Sequence, residues 1–333
     1  MDAGDIPVLA VQAALEPPFE VRRPPGSGAR PATPLVFASP HSGRLYPADM
    51  RASPRLDAGA LRSSEDALVD LLLEAAPRYG GAVLLARYAR AYVDVNREPW
   101  ELDQAMFDED LPEFARARTA RVAAGLGSIA RLVAEGREIY DRKLTFAEAA
   151  GRIEAVHRPY HRALTGLVEA ARAAFGVCVL VDWHSMPGAA AGQSAQARRP
   201  VDMVLGDRFG STCAGTLTER VERQLTRLGY IVARNAPYAG GYTTEAYGRP
   251  LEGVHALQIE ISRALYLDEA TLAPKPDSGG WPGTWSRCSP PSPTPGRCWR
   301  AEFPRTGRRC EPPSETGPKG QKKAPAEAGA LSR

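Results

Sequence analysis

Val177-Cys-Val-Leu-Val-Asp-Trp-His-Ser185 is the stretch on which the fold turns. It begins as an apolar, β-branched run, the composition of a strand, and it ends on Asp182 and His184, two side chains that can do chemistry. Just upstream, residues 137–174 read as a long helix with Ile153, Val156, Tyr160, Leu164 and Leu167 on one apolar stripe. Downstream, Asp207–Leu228 reads as another helix, closed by Gly229 in the position after the last turn. Further candidate strands are Pro34–Ser39, Ala82–Tyr88, Tyr92–Val95, Val201–Leu205, Tyr230–Ala233 and Ala256–Ile261. Helical spacing also runs through Glu65–Ala76 and residues 115–135. Strands alternating with helices predict an α/β layered fold with a mixed or largely parallel sheet. In such sheets, function gathers where strands end and loops begin.

The chain has 333 residues, 44% hydrophobic and 24% charged, which is ordinary for a soluble globular protein. No apolar run reaches the roughly 20 residues of a membrane span, so no membrane partner is expected. The first residues, MDAGDIPVLAVQAALEPP, are acidic and proline-bearing rather than signal-like, and the expected location is the cytoplasm. The net charge of +3 averages two unlike parts. Residues 275–333 hold 11 Lys/Arg against 5 Asp/Glu, and the rest of the chain holds 31 against 34. The basic excess therefore lies in a Pro/Gly/Ser/Arg-rich tail without aromatic-basic periodicity, and no nucleic-acid partner is expected. Such a composition cannot bury enough apolar surface to offset its ordering entropy. Residues 275–333 are thus expected to be a disordered tail, and they are a candidate for a shifted reading frame, since GC-rich DNA read out of frame gives such text. Five cysteines without a C-x-x-C pair show neither a disulfide framework nor a thiolate zinc site.

Three strand ends carry the candidate chemistry. Ser39-Pro-His-Ser-Gly43 places His41 in a tight loop, VCVLVDWHS presents Asp182 and His184, and HALQIEIS presents Glu260. Between the first two, Glu65 and Asp66 open a helix, where carboxylates suit the dipole alone. Two histidines and a carboxylate are a standard ligand set for catalytic zinc, with one position left for water. A further carboxylate nearby could take a proton from that water and return it to a leaving amine. In AYVDVNREP, Asn96 and Arg97 follow a strand pattern, and an Arg fork grips a carboxylate bidentately; the alternative is an Arg paired with Asp94 or Glu98. Gly240-Gly-Tyr-Thr-Thr244 is a glycine turn with hydroxyl donors, fit for a substrate loop or a plain turn. His157 and His161 sit at i and i+4, but the Glu of an H-E-x-x-H zinc motif is absent and Pro159 distorts the turn, which favours a structural role. His255 also reads as structural. Arg-rich FARARTARVAAG reads as a solvated face, and neither a phosphate loop nor a serine-nucleophile elbow is present.

In combination, these residues resemble the N-formylglutamate amidohydrolase family. The motifs in register are Pro34-Leu-Val-Phe-Ala-Ser-Pro-His-Ser-Gly43, Ser64-Glu-Asp-Ala-Leu-Val-Asp70, Tyr92-Val-Asp-Val-Asn-Arg97, Asp182-Trp-His-Ser185, Gly240-Gly-Tyr-Thr243, Gln258-Ile-Glu-Ile-Ser-Arg263 and Ala264-Leu-Tyr-Leu-Asp-Glu269. The resemblance, related in turn to zinc carboxypeptidases and aspartoacylases, implies an α/β phosphorylase/hydrolase-like fold, three layers with a mixed central sheet, in a single catalytic domain over residues 1–272. It implies Zn2+ held by His41, His184 and Asp66, with Glu65 the alternate third ligand. Glu260 is the implied general base. Asn96 and Arg97 are implied to hold a substrate carboxylate, with Arg263, Tyr242 and Thr243 as candidates for a second carboxylate or an oxyanion. The implied reaction is hydrolysis of a small dicarboxylate, N-formyl-L-glutamate, to formate and L-glutamate in histidine degradation. Two other readings stand beside it: a zinc amidase or deacylase on another N-acyl amino acid or acidic peptide, and an inactive member serving as a binding module. The sequence departs from the pattern twice, with Arg44 where the related carboxypeptidases keep a ligand Glu, and in the tail that replaces a packed helix.

Overall fold

The computed structural model describes residues 17–275 apart from 29, 49, 51–55, 57, 134–135 and 192–199. The expected tail beyond residue 275 lies outside the described residues. Seven strands, β1 (Phe19–Arg22), β2 (Leu35–Ser39), β3 (Ala82–Ala86), β4 (Cys178–Met186), β5 (Met203–Gly206), β6 (Val232–Arg234) and β7 (Val254–Ser262), form one sheet. Their order is β1-β3-β2-β4-β7-β5-β6. Strands β3, β2, β4 and β7 run parallel, β1 runs antiparallel to β3 and β5 antiparallel to β7, and β6 follows β5 in parallel. The fold is thus α/β with a mixed central sheet, as expected. Both β4 and β7 are buried at every position, which is why their sequences run apolar instead of alternating. Because β2, β4 and β7 are adjacent and parallel, their C-terminal ends meet at one edge of the sheet. Paired register puts His184 beside Glu260 there.

A helical stretch from Phe146 to Phe175 covers one face. Its apolar stripe, Ile153, Val156, Tyr160, Leu164 and Leu167, is buried and shares a core with Val36, Ala38, Leu84, Cys178 and Leu180. The helix starts where Thr145 and Glu148 close a reciprocal capping box, and it stops at Gly176, whose φ of 75° admits the left-handed turn. Pro159 leaves its mark in the middle. Proline supplies no N–H and crowds the preceding turn, and the turn just before Arg158 is a π-helix, Ile153–His157. Among the described residues no helix is long and apolar enough to cross a membrane.

Several sequence expectations differ from the structure for local reasons. Tyr92–Val95 is a turn rather than a strand: Tyr92, Val93 and Val95 are all buried, but no strand of the sheet lies alongside, and the Tyr92 N–H donates to the Ala89 carbonyl. Among the described residues of 115–135 only Ala120–Ala123 is α-helical, since Gly125 at φ 72° turns the chain away despite Ala/Arg-rich helix propensity. In residues 137–174 the helix begins only at Phe146. The expected helix over Glu65–Ala76 shrinks to Val69–Leu72, followed by a 3-10 turn at Ala76–Tyr79 that holds Pro77. The helix expected from Asp207 begins at Gly215, because Arg208, Phe209 and Gly210 all carry positive φ, while Gly229 closes it as expected.

Candidate metal centre and its cavity

Each functional side chain comes from a strand end or a loop pinned against one. Strand β2 ends at Ser39, and two residues later His41 turns under a hydroxyl contact between Ser39 and Ser42 (2.9 Å). The Asp66 N–H donates to the His41 carbonyl at 2.9 Å, which fixes the 63–66 loop beside that turn. Strand β4 supplies His184. Both histidines and Asp66 are buried, and their ligand atoms converge. His184 Nδ1 lies 3.1 Å from His41 Nδ1 and 2.9 Å from Asp66 Oδ2, and His41 Nδ1 lies 3.4 Å from the same oxygen. Those are the separations that three ligands need around one ion bound at about 2.0–2.2 Å.

The outer nitrogens strengthen that fit. With each imidazole protonated on Nε2, His41 donates to Asp94 Oδ1 at 2.7 Å and His184 to Asp182 Oδ2 at 3.0 Å. This is the carboxylate–histidine pairing that orients metal ligands and sets their tautomer. It leaves two nitrogen lone pairs and one carboxylate oxygen facing one another with no proton between them, an arrangement that a cation resolves. Without an ion, the same charges favour a proton in its place. Burial would raise Asp66, but His184 and His41 hold it well below the usual carboxylate range. Burial would likewise depress His184, yet Asp182, Asp66 and Glu260 outweigh it and hold the imidazole well above its ordinary value. His41, Asp66 and His184 form a buried zinc-binding triad. Glu65, the alternate ligand, turns elsewhere: its carboxylate accepts from Tyr46 Oη at 2.8 Å and from Arg62 Nε at 3.2 Å.

Glu260 stands next to the triad on β7. Burial is the largest influence on it and, with Asp66 and Asp182 nearby, raises it to about 7 against the pull of His184 and Arg90. Gln258, two residues back on the same strand face, donates from Nε2 to Glu260 Oε1 at 2.8 Å and accepts the Gly241 N–H at 2.7 Å. Its role is invisible in composition, but the i, i+2 placement on a strand is the signal that could have found it.

A cavity of about 640 Å³ opens over these groups, and four arginines line it: Arg90, Arg97, Arg121 and Arg263. They differ in how far the protein already uses them. Arg263 donates to the Ser185 hydroxyl (3.1 Å), the Ser63 and Glu65 carbonyls (3.3 and 2.6 Å) and Asp66 Oδ1 (3.4 Å), so it braces the ligand loop. Arg97 spends Nε on the Leu126 carbonyl (3.0 Å) and Nη1 on the Asn96 carbonyl (2.9 Å). Arg90 donates to Asp94 Oδ2 at 2.7 Å, behind His41. Arg121, which sequence reading placed on a solvated face, lines the cavity instead. Asn96 is committed to the frame: Nδ2 donates to Asp182 Oδ2 (3.2 Å) and Oδ1 accepts the Thr243 N–H (2.7 Å). Thr243 is buried and Tyr242 packs on His157 and His161, so neither side chain lines the cavity, while Tyr238 from the same loop does.

The His157–His161 pair takes no part in metal binding. Their Nε2 atoms lie 2.9 Å from the Arg97 carbonyl and 2.7 Å from the Val95 carbonyl, which holds the loop carrying Asp94 and Asn96. His255 is structural as expected, accepting from the Ala214 N–H at 3.2 Å. Close packing at Gly241 makes the frame testable. A Cβ there would meet Asn96 Nδ2 at 2.5 Å and Oδ1 at 2.8 Å. Gly241→Ala is therefore expected to push Asn96 off Asp182 and lower kcat for the native reaction about 10²-fold, the cost of a sub-ångström misplacement at a reacting centre. Steady-state kinetics alongside bound-zinc analysis checks this, with zinc expected to stay bound.

An α/β sheet whose parallel strand ends converge on a His-Asp-His triad, beside a buried carboxylate, defines a metal-dependent amidohydrolase. Residues 33–267 match the family profile of N-formylglutamate amidohydrolase. The crystal structure of N-formylglutamate amidohydrolase from Ralstonia eutropha JMP134 superposes with a TM-score of 0.74 at 42% identity, covering 82% of this chain and 94% of that one. The N-formylglutamate deformylase of Pseudomonas aeruginosa is 29% identical over 249 residues, 72% of this chain and 84% of its own length. That of Pseudomonas putida is 28% identical over 239 residues, 71% and 82% respectively. The chain belongs to the N-formylglutamate amidohydrolase family.

Proposed function

We propose that the protein hydrolyses N-formyl-L-glutamate to formate and L-glutamate, with Glu260 as general base and Arg97 as an anchor for a substrate carboxylate. The observation that carries the reading is one cavity holding both the triad with Glu260 and a set of arginines, so that an amide and a carboxylate of one small molecule can be engaged together. Zinc, which His41, Asp66 and His184 would hold, would supply Lewis acidity for the formyl carbonyl and for water. Glu260 takes the proton from the attacking water as the water oxygen bonds to the formyl carbon. As the C–N bond breaks, the same carboxyl returns the proton to the departing amino nitrogen of glutamate. A group titrating near neutrality suits both duties. Gln258 fixes Oε1, leaving Oε2 for the proton. Binding energy from the carboxylate orients the amide, so loss of an anchor lowers rate as well as affinity.

In this reading residues 1–272 are one catalytic domain, the substrate is a free dicarboxylate in the cytoplasm, and neither nucleic acid nor membrane is a partner. Buried free thiols at Cys178 and Cys213 accord with a reducing location. The direct test is formate release from N-formyl-L-glutamate by purified protein. Chelation is expected to abolish release and stoichiometric zinc to restore it. No release from folded, zinc-loaded protein would sink the substrate assignment.

A further inference from the structure

We propose that Arg121 is the specificity residue for the side-chain carboxylate of the substrate, with Arg97 taking the α-carboxylate; this rests on the N-formylglutamate reading above. The wall of the cavity can be walked contact by contact. His41 meets Asp94 at 2.7 Å, Asp94 meets Arg97 at 3.9 Å, Arg97 donates to the Leu126 carbonyl at 3.0 Å, and the Leu126 N–H donates to the Arg121 carbonyl at 2.9 Å. The Arg97 side chain is thus tied to Asp94, the carboxylate behind His41, whereas the Arg121 side chain meets Glu101 instead. In an N-formyl amino acid the α-carboxylate sits one carbon from the reacting nitrogen, and the γ-carboxylate of glutamate lies two methylenes beyond that branch. The α-carboxylate therefore suits the cation tied to the triad's partner Asp94, and the γ-carboxylate the second arginine of the same cavity.

Arg121 is also the cavity arginine whose guanidinium makes no hydrogen bond among the described residues, its partner being a long ion pair to the buried Glu101. Arg90, Arg97 and Arg263 each donate hydrogen bonds to protein acceptors, whereas the one polar partner of Arg121 is Glu101 Oε2, at 3.9 Å and beyond hydrogen-bond range. Its side chain is 32% exposed, so it is wet enough to need no internal partner and close enough to line the cavity. Arg90, Arg97, Arg121 and Arg263 line the cavity together with the carboxylates of Asp66, Asp94 and Glu260, and a bound zinc would add further positive charge. Burial lowers Arg97 below its ordinary value against the pull of Asp94, with smaller contributions from the neighbouring cations Arg90 and Arg121. Leu126 and Leu132, beside Arg121 on the same wall, offer an apolar surface to the methylenes.

The test compares N-formyl-L-glutamate with N-formyl-L-glutamine, which is nearly isosteric but neutral at the far end. Wild type is expected to prefer the glutamate substrate in kcat/KM. Arg121→Ala should cut kcat/KM for the glutamate substrate about 10- to 100-fold, the scale of one charge-assisted hydrogen-bonded pair, and leave the glutamine substrate within about twofold. Arg121→Lys should recover part of the preference. Arg97→Ala, by contrast, should lower both substrates alike, because both keep the α-carboxylate. Equal losses for both substrates in Arg121→Ala, or an unchanged ratio, would overturn the assignment. Should wild type release formate from neither substrate, the catalytic reading fails, and Arg121 is judged by calorimetry with L-glutamate and L-glutamine on zinc-loaded protein. A glutamate preference that disappears in Arg121→Ala upholds the anchor, and a preference that survives, or is absent from wild type, refutes it.

Discussion

Glu260→Gln is expected to lower kcat for formate release by about 10³-fold while leaving zinc content and folding unchanged, a loss within the range general acid–base groups contribute. The substitution is nearly isosteric and keeps a polar group at the end of β7, buried where Glu260 is 6% exposed. What it removes is the ability to hold a proton between two steps. Gln258 would still meet an acceptor oxygen at the altered side chain, so the neighbouring strand register need not move. Because Glu260 is not among the converging ligand atoms, the triad should bind zinc as before. KM is expected to change little, since the proposed arginine anchors are untouched. A variant retaining a tenth or more of wild-type kcat would remove Glu260 from the role of base. In that event Asp94 and Asp182 are poor substitutes, each already engaged by an imidazole.

Strand ends were the legible part of this molecule. In β2, β4 and β7 an apolar run meets a polar side chain abruptly, and that discontinuity is local in sequence, so His41, His184 and Glu260 could be picked out one strand at a time. Asp66 was legible as one of two adjacent carboxylates; which of the two turns to the histidines depends on Tyr46 and Arg62 claiming Glu65. Tyr92–Val95 misled because burial from all sides in a loop produces the same β-branched composition as burial in a sheet. Residues 115–135 misled because Ala and Arg favour a helix while Gly125 turns the chain. That error hid Arg121: a residue on an imagined solvated helix is no candidate for a cavity, whereas on the actual short helical turn it faces one. The bond from Asp94 to His41 and the one from Asn96 to Asp182 each span more than 50 residues, and no local period reports them, whereas Asp182 meets His184 at i, i+2 on one strand. The placement of β7 between β4 and β5 is likewise a property of the whole chain's packing.

The largest effect on the metal is expected from Asp66→Asn, which should weaken zinc binding by more than about 100-fold, beyond the loss usual for an outer-sphere partner, and reduce formate release to background without added zinc. Asparagine preserves the size of the side chain, and the ligand loop keeps its brace through the Arg263 bonds to the Ser63 and Glu65 carbonyls. It removes the negative charge that sits 2.9 Å from His184 Nδ1 and 3.4 Å from His41 Nδ1. Three acceptors then become two neutral nitrogens and a weakly donating amide oxygen, a set far poorer for a dication. Glu65→Gln is the matched control. Its carboxylate is fully buried but faces Tyr46 and Arg62, so zinc should remain bound and activity should stay within about threefold, any cost appearing instead as lower thermal stability from a weakened buried contact. Equilibrium zinc titration of both variants, with formate release from the same preparations, decides between the two carboxylates. Loss of zinc from Glu65→Gln with retention by Asp66→Asn would reverse the assignment, and would require the 63–66 loop to rotate on binding, breaking the Arg263 bonds to the Ser63 and Glu65 carbonyls that hold it. Those bonds are why Asp66, and not its neighbour, is placed to close the triad.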